Sequence, residues 1–220
     1  MDSLNKEIIE KTLNALRRNN MQAYYADTKE QAKELVCSML KKGSTVTHGG
    51  SVTLAETGIT ELLGNGDYIY LDRSAPGLTP EQVKEIYRKS FFADTYLTSS
   101  NAITENGELY NVDGNSNRVA AIVYGPESVI VIAGYNKIVP DIRAAVERVK
   151  RIAAPKNAVR LDCATPCAET GECISLKKDN SFACEGCKSP ARICCNYVVT
   201  AQQRHKDRIK VIIVGEVLGY

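Results

Sequence analysis

Apolar residues recur along this chain in two rhythms, one of about 3.6 and one unbroken. Leu4, Ile8, Ile9, Leu13 and Leu16 fall on one face of a predicted helix over 3–19, with charges opposite. A short strand follows at 21–26. Thr28 with Gln31 three residues on has the form of a capping box and opens a second helix, whose buried face is Ala32, Leu35, Val36 and Met39. Gly43 is placed to end it at the C′ position. A strand at 44–48 runs into Gly49-Gly50-Ser51-Val52-Thr53, and a helix is expected over 54–63, weakened by Gly58. Another strand is read at 68–72. Thr79, Pro80 and Gln82 then mark the start of a helix reaching about residue 93.

The second rhythm appears at 119–124 and 129–133. These are β-branched runs without alternation, the pattern of strands covered on both faces. A strand at 94–98 precedes them. The segments 108–112 and 119–124 read as a hairpin around the turn-rich Asp113-Gly114-Asn115-Ser116-Asn117. A helix over 140–153 is stopped by Pro155, and a last strand lies at 208–214. Strands alternating with helices make the class α/β. From 157 to 196 the periodicity disappears, and this segment reads as a cysteine-rich insertion within a single domain spanning 1–220.

Bulk properties add little. With 220 residues, 44% apolar and 25% charged, the chain has an ordinary globular balance. A net charge of +2 gives no electrostatic case for nucleic acid or a membrane surface. No apolar run approaches a membrane span, and the start lacks a basic segment followed by an apolar one, so the expected location is the cytoplasm.

Candidate chemistry gathers at loops following strands, where α/β sheets place ligands. Gly49 and Gly50 allow close backbone approach, helix amides point outward, and Ser51 and Thr53 offer hydroxyls, an arrangement suited to an anion. The competing reading is a tight turn with Thr53 as N-cap. Glu105 is a candidate base, nucleophile or anion-rejecting wall, or else a turn residue beside Asn106-Gly107. Lys137 is a point charge for phosphate or carboxylate, or a solvated lysine. His48 is a ligand contact or a hydrogen-bonded structural histidine. His205 reads as surface, and Arg143, Arg148, Lys150 and Arg151 as a solvated helix face.

Seven of the eight cysteines lie between Cys163 and Cys195. Clustered thiolates in a loop-rich segment point to zinc or an iron–sulfur cluster, with disulfides as the rival. The one CxxC pair, Cys184 and Cys187, fits neither a zinc ribbon nor a bacterial ferredoxin run.

The residues together resemble the lactate-utilisation (LUD-domain) proteins. The matching motifs are His48-Gly49-Gly50-Ser51-Val52-Thr53-Leu54-Ala55-Glu56-Thr57-Gly58, Ser100-Asn101-Ala102-Ile103-Thr104-Glu105-Asn106-Gly107, Asn117-Arg118-Val119, Gly125-Pro126 and Gly134-Tyr135-Asn136-Lys137. Near the end Pro166-Cys167, Gly171, Cys173, Cys187, Arg192-Ile193-Cys194 and Gly215-Glu216-Val217-Leu218-Gly219 continue it. The resemblance implies a cytoplasmic bacterial protein. It also implies a three-layer α/β sandwich shared by ribose-phosphate isomerases, glucosamine-phosphate deaminases and coenzyme A transferases. It implies a small anionic ligand, a hydroxy or keto acid or a phosphorylated compound, and a part in oxidising lactate to pyruvate. The ligand set would be His48, Gly49, Gly50, Ser51, Thr53, Asn101, Arg118, Asn136 and Lys137, with Glu105 in the catalytic role. The metal set would be Cys167, Cys173, Cys187 and Cys194. An extra loop at 174–186 brings Cys184 as a substitute ligand, and Cys163 and Cys195 are additional. The alternatives are a cysteine-cluster redox or sensing module and a non-catalytic subunit of an oxidoreductase. Catalysis by this chain alone and homo-oligomerisation stay open.

Overall fold

The computed structural model describes residues 3–178 and 183–220. In chain order the first half runs α1 (Ser3–Arg18), β1 (Gln22–Ala26), α2 (Lys29–Met39), β2 (Thr45–His48), α3 (Val52–Glu56), α4 (Ile59–Asn65), β3 (Ile69–Leu71), α5 (Pro80–Lys89) and β4 (Thr95–Thr98). The second half runs β5 (Ala102–Thr104), β6 (Leu109–Asp113), α6 (Asn117–Val123), β7 (Ser128–Gly134), β8 (Ile138–Val139), α7 (Ile142–Arg148), α8 (Ala154–Arg160), α9 (Pro166–Thr170), β9 (Asn196–Thr200) and β10 (Ile209–Val214).

Six strands form a parallel sheet in the order β1-β10-β7-β4-β2-β3. The uninterrupted apolar runs are its centre, and successive residues face opposite layers. Val129, Val131 and Ala133 of β7 pack with Ile9, Leu13 and Leu16 of α1 and with Ala121 and Ile122 of α6. Ile130 and Ile132 pack on the other side with Ala32 and Val36 of α2 and Ile59 and Leu63 of α4. A second sheet, β8-β5-β6-β9, carries antiparallel pairs and buries Tyr110 and Val112 against Ala145, Val149 and Ala153. The expected α/β architecture with helices on both faces is what the chain adopts. Among the described residues no helix is long and apolar enough to cross a membrane.

Several local expectations fail for identifiable reasons. The segment 119–124 is not the second arm of a hairpin but lies mostly in α6. The Asp113 carboxylate accepts the backbone N–H groups of Arg118 and Val119 at 3.0 and 3.1 Å, which starts a helix where the apolar run alone has no period. β6 pairs instead with β5 just before it and with β9, 83 residues further on by the pairing of Asp113 with Asn196 (196 − 113). The helix expected over 54–63 breaks in two at Gly58, whose φ of +65° is left-handed. Pro155 does not stop the helix before it. A π turn at Val149–Ala153 lies ahead of it, and α8 carries the proline in its first turn, where a missing N–H costs nothing. The second helix ends at Met39 rather than at Gly43. The predicted capping box at Thr79 and Gln82 forms in full.

Candidate functional site

A cavity of about 510 Å³ opens at the carboxyl ends of β2, β3, β4 and β7. Parallel strands deliver their following residues to one edge: Gly50, Ser51 and Thr53 after β2, Arg73 after β3, Ser99 to Asn101 after β4 and Lys137 after β7. The far wall comes from Asp113, Arg118 and Asn157, and from the cysteine segment through Arg192 and Cys195. Among the described residues, five basic side chains, Arg73, Arg118, Lys137, Arg160 and Arg192, line it against a single acidic side chain, Asp113. Basic groups at this excess in a concave site attract an anion.

The five are held very differently. Arg118 is pinned. Its guanidinium donates to Asp113 Oδ1 (3.3 Å), Asn111 Oδ1 (2.6 Å), Asn101 Oδ1 (3.0 Å) and the carbonyls of Ser99 and Val112 (3.2 and 2.9 Å). Gly49 makes room for it: a Cβ there would meet the Tyr96 hydroxyl at 2.8 Å and Arg118 Cγ at 3.0 Å. Arg73 is the opposite case. Its guanidinium lies 5.2 Å from the centre of the Tyr87 ring, its Nε is buried without a hydrogen-bond partner, and no carboxylate pairs with it among the described residues. Cation–π stacking fixes where the group points without neutralising it.

Lys137 is buried, at 3% exposure, so the reading of it as a solvated lysine fails. Its Nζ donates to Thr53 Oγ1 at 2.9 Å and to Ser99 Oγ at 3.0 Å. Burial, then the neighbouring cations Arg148 and Arg118, push its pKa down to about 7, with Glu56 opposing. Arg148 and Lys150 are also buried rather than on a solvated face. Arg148 donates to the carbonyls of Asn136 and Asn101, and burial lowers its pKa to about 10.

The remaining sequence candidates divide. Asn101, Ser51, Gly50 and Thr53 line the cavity with Arg118 and Lys137. The N-cap of α3 is Ser51, whose side chain accepts the Leu54 N–H, not Thr53. His48 sits behind the loop: its Nδ1 meets the Gly49 carbonyl at 2.8 Å, its ring stacks on Tyr70, and burial lowers its pKa. Asn136 holds the C-terminal segment, accepting the Leu218 N–H at 3.1 Å. Glu105 does not line the cavity. Its carboxylate pairs with Lys11 of α1 at 2.7 Å. Arg73, Ser99 and Arg192 are not among the predicted site residues, although Arg192 lies in a matching motif and Arg73 and Ser99 stand just past parallel strands.

Cys167, Cys173, Cys187 and Cys194 line a second, enclosed pocket of about 20 Å³ together with Lys150, Arg192 and Tyr197, while Cys184 does not. No disulfide joins any of the eight cysteines in this structure. Arg192 knits the loop, donating to the carbonyls of Cys184, Cys187 and Cys194 at 2.8, 2.9 and 2.8 Å and to the Tyr197 hydroxyl at 2.8 Å. Burial and the neighbouring thiols raise the Cys194 pKa to about 12. Among the described residues no group of three or more His, Cys, Asp or Glu side chains is gathered closely enough to hold a metal ion. Residues 179–182 of the extra loop lie outside the described residues.

The sequence matches the LUD domain over residues 9–214. The chain belongs to the LUD-domain family. That makes it a lactate-utilisation-related protein. A DUF162-family protein from Deinococcus radiodurans shares 14% identity over 96% of this chain and 98% of its own, with a TM-score of 0.53. At that identity the likeness establishes a common fold. Chaetomium thermophilum eIF2B beta matches 52% of the LUD-domain chain and 40% of its own at 13% identity and a TM-score of 0.37, too low to bear on function. No curated protein matches the sequence.

Proposed function

We propose that this LUD-domain protein binds a small anionic metabolite in the 510 Å³ cavity, a hydroxy or keto acid or a phosphorylated compound, as a contribution to lactate oxidation to pyruvate. The observation that carries this reading is Arg73, a cation stacked in place at the cavity wall with no acid to pair with. A guanidinium held this way recognises carboxylate or phosphate through two parallel hydrogen bonds. The Gly50 backbone lies close enough that a Cβ there would come within 3.4 Å of Arg73 Nη1. The anion contact is therefore assigned to Gly50, Ser51 and Arg73, with side chains rather than the five-residue helix α3 supplying the charge. The volume falls within the range of drug-sized ligands and exceeds what a three-carbon acid fills, which favours a phosphorylated compound over lactate itself. Calorimetric titration with lactate, pyruvate, inorganic phosphate and a sugar phosphate tests this. Binding that Arg73→Ala weakens supports it. The reading falls if none of these ligands binds at millimolar concentration.

A second reading rests on the cysteine pocket. Four soft donors line a space of one water-sized particle, and Lys150 and Arg192 stand beside them to offset thiolate charge. This donor set fits a single zinc ion better than an iron–sulfur cluster. Cys167, Cys173, Cys187 and Cys194 would hold it, and a metal would supply the core this loop-rich segment lacks. Elemental analysis of protein purified without chelator decides between zinc, iron with sulfide, and neither.

A further inference from the structure

The hydrogen bonds around Lys137 fix more than its position. Thr53 Oγ1 donates to the Leu218 carbonyl at 3.5 Å, and Ser99 Oγ donates to the Ser100 carbonyl at 3.4 Å. These long contacts turn the hydroxyl protons toward carbonyls, and both oxygens accept from Lys137 at the shorter distances. Two N–H groups of Nζ are therefore spent. No third acceptor and no carboxylate contacts Nζ among the described residues. An ammonium would leave one buried N–H without a partner. A neutral amine satisfies both hydroxyls and keeps a lone pair, and the side chain lines the cavity. The nearby cations Arg148 and Arg118 bias the group the same way, against the single acid Glu56.

We propose that Lys137 is the amine nucleophile of this cavity and condenses with the carbonyl carbon of an anionic ketone or aldehyde. The inference rests on the cavity being an anion site, since Arg73 would hold the charged end. The Nζ lone pair forms the C–N bond while the carbonyl π pair moves to oxygen, which takes a proton. A proton leaves nitrogen, giving the carbinolamine. Loss of the hydroxyl as water, with a second proton supplied to it, leaves the iminium. Thr53 and Ser99, hydrogen-bonded to Nζ and in turn to carbonyls, are placed to hold the amine's direction during attack. The iminium nitrogen then draws electrons from the adjacent carbon, which is the chemistry a 2-oxo acid or a keto-phosphate offers at its α position.

The test is reductive trapping. The full chain is incubated with pyruvate or, separately, with dihydroxyacetone phosphate, each with cyanoborohydride as reductant. Intact mass and peptide mapping are then read. The expected result is one adduct of the ketone's mass less one oxygen, on Lys137, formed at least about tenfold faster than on the exposed Lys42. The faster of the two arms tells whether a carboxylate or a phosphate is the preferred anion. Lys137→Arg removes the primary amine and should lose the adduct. Should that variant fail to fold, the wild-type peptide map alone decides. An adduct absent from Lys137, or no faster there than on Lys42, overturns the proposal. A parallel calorimetric titration separates the two ideas: binding without an adduct removes only the nucleophile, and neither binding nor adduct removes the anion site as well.

Discussion

The two pockets of this protein are built on opposite principles. The large cavity is made by strands. Its side chains arrive from β2, β3, β4 and β7 at positions set by a shared register, and Arg118 is tied by five hydrogen bonds before any ligand is present. The cysteine pocket is made by loops and short helices, and one residue, Arg192, ties its carbonyls together. The first site is organised in advance. The second brings four thiols to one small pocket without gathering three of them closely enough to hold a metal ion. Where a sheet supplies the frame, a site can present an uncompensated charge such as Arg73. Where it does not, any bound metal would have to order the segment as well.

The sharpest way to break this contrast is Arg118→Met. It would orphan acceptors on Asn111, Asn101, Ser99 and Val112 in a buried setting, and we expect a loss of about 3 kcal/mol or more in urea unfolding. A smaller loss would mean that the cavity wall does not depend on that arginine. Next comes the pH dependence of Lys137. Its folded pKa of about 7 lies below the ordinary 10.5, so between these values the unfolded chain holds the extra proton and stability rises with pH. The groups facing it are Arg148 and Arg118, which lower the pKa, and Glu56, which opposes them. Wild type should therefore gain on Lys137→Met by about 2 kcal/mol between pH 7 and 9. A constant gap in thermal melts across that window contradicts the shift.

Arg73→Ala should weaken anion binding by about tenfold while changing stability by less than about 0.5 kcal/mol. Titration calorimetry and a melting curve on the same sample separate the two. Arg192→Ala should have the smallest global effect, about 1 kcal/mol, yet raise the reaction rate of Cys187 and Cys194 with a thiol reagent roughly tenfold through local opening. Added zinc should reverse that increase and should bind more tightly as pH rises, since the Cys194 thiol must give up a proton held by burial.

The strand-built region was also the legible one. Runs such as 129–133 and 209–214 announce a buried parallel strand because both faces need apolar residues, and the loop after β2 announces itself by its glycines. The same logic misreads 119–123, where a run of Val, Ala and Ile looks identical in a strand and in a buried helix. What decides there is a carboxylate six residues earlier, Asp113, a long-range instruction in sequence terms but a single cap in space. β5 and β8, at three and two residues, are too short to carry a period. β9 is half-exposed and pairs with a strand far away in the chain. Of the site, hydroxyls and glycines could be read from their motif. Arg73 had only its place just past a strand to mark it, because its importance lies in what it lacks, and a missing partner has no sequence pattern. The pairing of Glu105 with Lys11 is hidden for the related reason that 94 residues separate them.

The strand order carries a consequence for how the molecule is made. β10 is the last strand in the chain, yet it sits between β1 and β7, hydrogen-bonded to both. Until residue 214 is available, the sheet is two fragments with a strand-wide slot between them, and the facing edges of β1 and β7 have unpaired amides and carbonyls beside some of the most apolar surface in the protein. Synthesis from the N-terminus thus leaves an adhesive seam open from the time β1 and β7 are made until residue 214 follows. A nascent chain halted before residue 209 would have no means of closing that seam on itself, and would offer the slot to any extended segment that reached it first.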